Sequence, residues 1–155
     1  MPYEVREGDL LDQPNIVQQV NCQSRSARGL SAAVARRYPW ANLYAQRVRP
    51  TEPGTVVRQD GGRGVRVYHL AAQWCPGRPG AHAARYSKLH QDTAGNRARW
   101  FRQCLQSLAE DDATDAYDFP HGIGCGLAGG DWSAYERMIQ TVLAPHKTVR
   151  VWRLY

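Results

Sequence analysis

The sequence predicts an α/β domain with helices packed on both faces of a central sheet. Short runs rich in β-branched residues interleave along the chain with longer segments of helical apolar spacing. The 155 residues correspond to one ordinary domain. No internal repeat or linker-like stretch divides them, so a single domain over residues 1–155 is expected.

Tyr3 to Arg6 alternates like a strand and runs into a turn at Gly8-Asp9. Ile16 to Val20 is β-branched and ends at Asn21-Cys22-Gln23, before a small polar loop from Ser24 to Gly29. Leu30, Val34 and Tyr38 recur at helical spacing among alanines, and Pro39 stops that helix. Trp40 to Val48 has room for a second short helix. Thr55 to Val57 and Val65 to Ala71 read as a hairpin around Asp60-Gly61-Gly62. The stretch from Gln73 to Gly80 is too rich in Pro and Gly for regular structure. From Asp92 to Leu108, Phe101, Cys104, Leu105 and Leu108 mark one face of an amphipathic helix. Ala116 to Phe119 is a short strand closed by Pro120. Trp132, Tyr135, Ile139 and Val142 then predict the buried face of a last long helix. Thr148 to Leu154 reads as a final strand, with Val149 and Val151 on one face and Trp152 on the other.

Composition narrows the function. Hydrophobic residues are 43% and charged residues 22% of the chain, a globular mixture rather than a disordered one. No apolar run approaches the ~20 residues of a membrane helix, and the N-terminus has no apolar signal core. A soluble, cytoplasmic protein is expected, with a nuclear location left open. The net charge is +6, and Lys88 and Lys147 are the only lysines among 20 basic residues, which favours an anionic partner. No Lys/Arg-rich five-mer marks a dedicated nucleic-acid-binding segment. Cys22, Cys75, Cys104 and Cys125 lack metal-ligand spacing, as do the five histidines, so free thiols and no metal are expected.

The most informative segment is the glycine-rich loop from Gly122 to Gly130, set between a strand and a helix. Five glycines in so short a stretch can turn successive backbone N–H groups toward an anion, and phosphate or diphosphate is the natural guest. Gly124-x-Gly126-x-x-Gly129 matches the dinucleotide-binding fingerprint in letters only. That motif needs an acidic residue ~20 positions later, and Thr148-Val149-Arg150 stands there instead. Cys125 lacks the Arg that a phosphatase thiolate loop places at the following helix start, and reads as a packing residue.

Gly8-Asp9-Leu10-Leu11, Gln19-Val20-Asn21-Cys22-Gln23 and Pro120-His121-Gly122-Ile123-Gly124-Cys125-Gly126-Leu127-Ala128-Gly129-Gly130-Asp131-Trp132 together resemble macro domains, as does the ending Val151-Trp152-Arg153-Leu154. The resemblance spans nearly the whole chain. It is greatest to the compact members similar to ADP-ribose-1''-phosphate phosphatases and terminal ADP-ribose glycohydrolases. It implies a three-layer α/β/α fold with a central mixed sheet, binding ADP-ribose at the sheet's C-terminal edge with no cofactor, as a monomer. Asp9 and the Leu10 backbone would then meet adenine, with Trp152 or the backbone near Leu154 over its face. Asn21 would meet the distal ribose. Arg28, Gly29 and Leu30 would line one phosphate loop, with Arg25 as an alternative to Arg28. Gln73 would stand beside the ribose. Gly122, Ile123, Gly124, Cys125, Gly126 and Leu127 would form the other phosphate loop.

Each residue has a plainer reading beside that one. Asp9 can make an Asx turn, Asn21 a strand-end turn, Trp152 core, Arg28 a solvated surface, His121 a cleft wall, and Asp131 a helix N-cap. In the glycohydrolase-like relatives a Lys attacks the ribose and an Asp assists; here Gln73 and Ala128 occupy those positions, so a covalent lysine route is not expected. Asn21 and Asp131 remain the candidates for positioning water. The expected activity is hydrolysis of a terminal ADP-ribose derivative such as ADP-ribose-1''-phosphate. The alternatives are a non-catalytic reader, a hydrolase acting on ADP-ribosylated protein or nucleic acid without a lysine, and a basic nucleic-acid-binding module.

Overall fold

The computed structural model describes residues 2–154. Six strands form one sheet in the order β1-β6-β5-β2-β4-β3: β1 Tyr3–Asp9, β2 Asn15–Asn21, β3 Val56–Asp60, β4 Arg66–Gln73, β5 Ala116–Pro120 and β6 Thr148–Leu154. Among the described residues only the β3–β4 hairpin pairs antiparallel; the other neighbours are parallel, which makes the sheet mixed. Parallel strands buried on both faces need apolar residues on both, and the core divides accordingly. One cluster packs α3 (Ala94–Glu110) and α4 (Trp132–Met138) on one side of the sheet, through Phe101, Leu105, Tyr135 and Ile139. The other packs α1 (Gly29–Arg37) and the 3₁₀ turns Leu10–Asp12 and Pro39–Ala41 on the opposite side, through Leu10, Leu11, Val34 and Ala41. The result is three layers. Val149 and Val151 enter the first cluster and Trp152 the second, as the period of two requires.

Several element ends differ from expectation for physical reasons. Trp40 to Val48 forms two pieces, the 3₁₀ turn and α2 (Leu43–Gln46), because Asn42 caps α2 by accepting from the Ala45 N–H. The helix expected from Asp92 begins at Ala94: Thr93 caps it through the Asn96 N–H, and Asp92 is spent on Arg97 and the Cys75 N–H. The last helix does not keep α spacing. It passes into a π-helical segment, Ile139–Leu143, with the Ala144 N–H donating to the Ile139 carbonyl. The wider turn moves the fully buried position from Val142, which is half-buried, to Leu143.

A buried polar chain crosses the second layer. Ser31 donates to Gln18 Oε1 (3.1 Å), Gln18 Nε2 donates to His69 Nδ1 (3.0 Å), and His69 Nε2 donates to Gln59 Oε1 (2.7 Å). The chain joins β3 and β4 to the first turn of α1. His69 is fully buried, and burial followed by the Arg47 charge pulls its pKa down to about 3. The folded state therefore refuses a proton that the unfolded chain takes up below pH ~6.5. Stability is present above that pH and is lost on acidification toward about 3, by about 1.4 kcal/mol per pH unit. Urea unfolding between pH 7 and 4.5 should show this slope, and His69→Gln should flatten it.

Candidate functional site

The loops after the C-terminal ends of the parallel strands β5, β2 and β4 enclose a cleft of about 720 Å³. In open α/β sheets this is the edge where ligands bind.

The first wall follows β2. Asn21 is buried and its side chain shapes the loop: Oδ1 accepts from the N–H groups of Gln23 (3.0 Å) and Ser24 (2.8 Å), and Nδ2 donates to the Tyr44 hydroxyl (3.3 Å). The second Nδ2 hydrogen has no acceptor among the described residues, and Asn21 belongs to the cleft lining. From below, the buried Arg47 donates to the Asn21 and Ser24 carbonyls, both at 2.7 Å, and stacks over Tyr44. Burial lowers the Arg47 pKa from its usual value, with Tyr44 opposing. The loop then enters α1 at Arg28, which gives no side-chain cap. The first amides of an α-helix have no partner within the helix, so Gly29, Leu30 and Ser31, all in the cleft lining, present an uncapped N-terminus.

The second wall is the glycine-rich loop. Gly122, Gly124 and Gly129 have φ near +75°, which side chains rarely adopt. The loop spends four amides on itself: Ile123 to Pro120 O, Cys125 to Gly122 O, Gly129 to Gly126 O and Gly130 to Gly124 O. The amides of Gly122, Gly124, Gly126, Leu127 and Ala128 find no acceptor among the described residues. Leu127, 70% exposed, bridges the cleft: its Cδ1 lies 3.4 Å from where a Cβ on Gly29 would sit.

The third wall follows β4. Gln73 Nε2 donates to the Cys75 carbonyl (3.0 Å), so its Oε1 accepts from Gln19 Nε2 (2.7 Å). That orientation leaves Gln19 Oε1 buried without a partner among the described residues. Beyond Gln73, Arg97 fastens this wall to the glycine-rich loop. Its guanidinium pairs with Asp92 (2.6 Å, both side chains 3% exposed) and donates to the carbonyls of Cys75 (3.0 Å), Gly77 (2.7 Å) and Ala128 (3.4 Å).

The structure thus brings Asn21, Arg28, Gly29, Leu30, Gln73, Gly122, Ile123, Gly124, Gly126 and Leu127 to one cleft. It places other sequence candidates outside the lining. Asp9 accepts from the Leu11 N–H and turns the chain after β1, while Leu10 is fully buried. Trp152 is core: its indole donates to the buried Asp118 (2.9 Å) and its ring packs against Gly8. Leu154 pairs with Asp9 at the β1–β6 edge and is 54% exposed. Cys125 donates to the Ile123 carbonyl (3.2 Å), and burial, then the Asp131 charge, pushes its pKa up to about 11, so it is a thiol at neutral pH. Asp131 is the N-cap of α4, accepting from the Ser133 N–H (3.1 Å). Asp131→Ala should lower stability by about 1 kcal/mol and change ligand affinity less than about twofold, measurable by urea melts and calorimetry.

The lining also includes Gln19, Ser31, Tyr44, Arg78, His82, Arg85 and Tyr86, which sequence reasoning missed. The available signal was position: a loop carrying Arg78, His82 and Arg85 after a strand, at the edge where open α/β sheets bind ligands. Among the described residues the lining has three arginines and two histidines and no Asp, Glu or Lys. No group of three or more His, Cys, Asp or Glu among the described residues could hold a metal, and no described helix is long and apolar enough to cross a membrane.

No family model matches the sequence. No curated protein matches it either. Solved structures do. The macrodomain of Mycobacterium tuberculosis DarG is 19% identical, with 97% of this chain and 96% of that one covered and a TM-score of 0.66. A Trypanosoma brucei macrodomain in complex with ADP is 15% identical, over 97% and 63% of the two chains, at 0.60. An alphavirus P23pro-zbd structure is 16% identical over 99% of this chain at 0.66, and the present chain spans only 22% of its length. With its six-stranded mixed sheet between two helical layers, the chain has the macro domain fold.

Proposed function

We propose that the cleft binds the ADP-ribose moiety, free or attached to protein or nucleic acid. One observation carries this reading: two sets of unspent backbone amides, on Gly122, Gly124, Gly126, Leu127 and Ala128 and at the uncapped start of α1, belong to the lining of one cleft whose charged side chains are all basic. Such amides hold linked phosphates without moving, and the helix dipole adds to them. The ADP held by the trypanosomal macrodomain of the same fold supports the same ligand chemistry. Calorimetry with ADP-ribose, ADP and AMP tests it. Saturable binding of the first two, with AMP at least about tenfold weaker, is expected; equal affinity for AMP would remove the diphosphate from recognition.

Binding without side-chain nucleophilic catalysis is the form best supported, since the lining offers no carboxylate, lysine or thiolate. A second reading, hydrolysis of a terminal derivative such as ADP-ribose-1''-phosphate, is favoured by the second side-chain Nδ2 hydrogen of Asn21, which can orient a water. Phosphate release abolished in Asn21→Ala and retained in Asp131→Ala would select it; no release by the unmodified chain would leave the binder.

A further inference from the structure

The cleft holds more positive charge than the two phosphates of ADP-ribose call for, and the excess lies on one wall. On the ADP-ribose reading, on which this inference rests, the diphosphate meets the loops after β5 and β2. The loop after β4 lies one strand further from β6, about 4.8 Å along the sheet edge. That loop carries Arg78, His82 and Arg85 into the lining, all exposed. None forms an ion pair or spends a side-chain donor on the protein among the described residues, whereas Arg47 donates to the Asn21 and Ser24 carbonyls and Arg97 pairs with Asp92 and donates to the Gly77 carbonyl.

The loop is also fastened at both ends. Arg97 holds the Gly77 carbonyl at its start; at its end the Ser87 carbonyl accepts from Trp74 Nε1 (2.6 Å) and the Ser87 N–H donates to Gln23 Oε1 (3.0 Å). Arg78 lies against the glycine-rich loop, its Cγ 2.9 Å from where a Cβ on Gly129 would sit. Unpaired guanidinium groups on a tethered loop, beyond the amides that take the diphosphate, match a further phosphate.

We propose that Arg78, His82 and Arg85 form a phosphate subsite for a group attached to the distal ribose of the ligand. The same chemistry arises from a 1''-phosphate monoester or from a phosphate of an ADP-ribosylated oligonucleotide. The phosphate is contacted from the rim, so the gain falls as salt rises.

Competition binding at low temperature, with the ligands checked afterwards for integrity, tests this on the full chain. The probes are ADP-ribose, ADP-ribose-1''-phosphate and an ADP-ribosylated oligonucleotide. At least one phosphate-bearing probe should bind tenfold or more tightly than ADP-ribose. In Arg78→Ala/Arg85→Ala that gain, taken as the ratio of the two affinities within the same variant, should fall below twofold. Whichever probe gains identifies the source of the phosphate. No gain with either probe, beside normal ADP-ribose binding, overturns the subsite; a gain that survives the double substitution overturns its assignment to these arginines. Failure of ADP-ribose itself to bind overturns the underlying reading instead.

Discussion

Arg97→Met is expected to lower the unfolding free energy by about 3–5 kcal/mol, the cost of removing one partner from a buried ion pair. Asp92 would be left buried opposite an apolar chain, still accepting from the Cys75 N–H but without its cation. The Gly77 carbonyl would lose its donor as well, and the Cys75 carbonyl would keep only Gln73 Nε2. The same change releases the wall after β4 from Ala128, so ligand affinity should fall with stability. Urea denaturation of the variant checks the first effect, and calorimetry on the fraction still folded checks the second. A loss below about 1 kcal/mol, the range of an exposed pair, would show that the guanidinium does not fasten the two loops.

Gly124→Ala should remove most ligand binding, by about 100-fold or about 2.7 kcal/mol, with a smaller loss of stability. A side chain at φ +74° costs about 1–2 kcal/mol, and the new Cβ would lie 2.8 Å from both Gln19 Oε1 and Tyr135 Cε2. The loop must then shift, and its amides leave their positions in the cleft lining. Gly126→Ala is the matched control. Its backbone lies outside the left-handed region and a Cβ there meets nothing within 4 Å, so affinity should stay within about threefold. Equal effects at the two positions would mean that loop geometry is not what binds.

The layers were legible because parallel strands and amphipathic helices write their burial into residue spacing. Val149 and Val151 against Trp152, and Phe101, Cys104, Leu105 and Leu108 along α3, fall where alternation and helical periodicity put them. The π turn was not legible, since nothing in Ile139 to Leu143 distinguishes an added residue per turn from ordinary helix. The turns of the glycine-rich loop after β5 were legible because glycine density reports backbone demands directly. The wall after β4 was not: Arg78, His82 and Arg85 carry no pattern, and only the strand order brings them to the cleft. Trp152 and Asp131 show the reverse case. Each was compatible with a site, and partners distant or local, Asp118 and the Ser133 N–H, hold them elsewhere.

Amide chemical shifts test the central claim most directly. On saturation with ADP-ribose, the ¹H–¹⁵N resonances of Gly126, Leu127 and Ala128, and those of Gly29, Leu30 and Ser31, should move downfield as free N–H groups gain phosphate acceptors, while Ile123 and Cys125, already bonded within the loop, move less. Saturation that leaves both sets of amides unmoved would contradict the account.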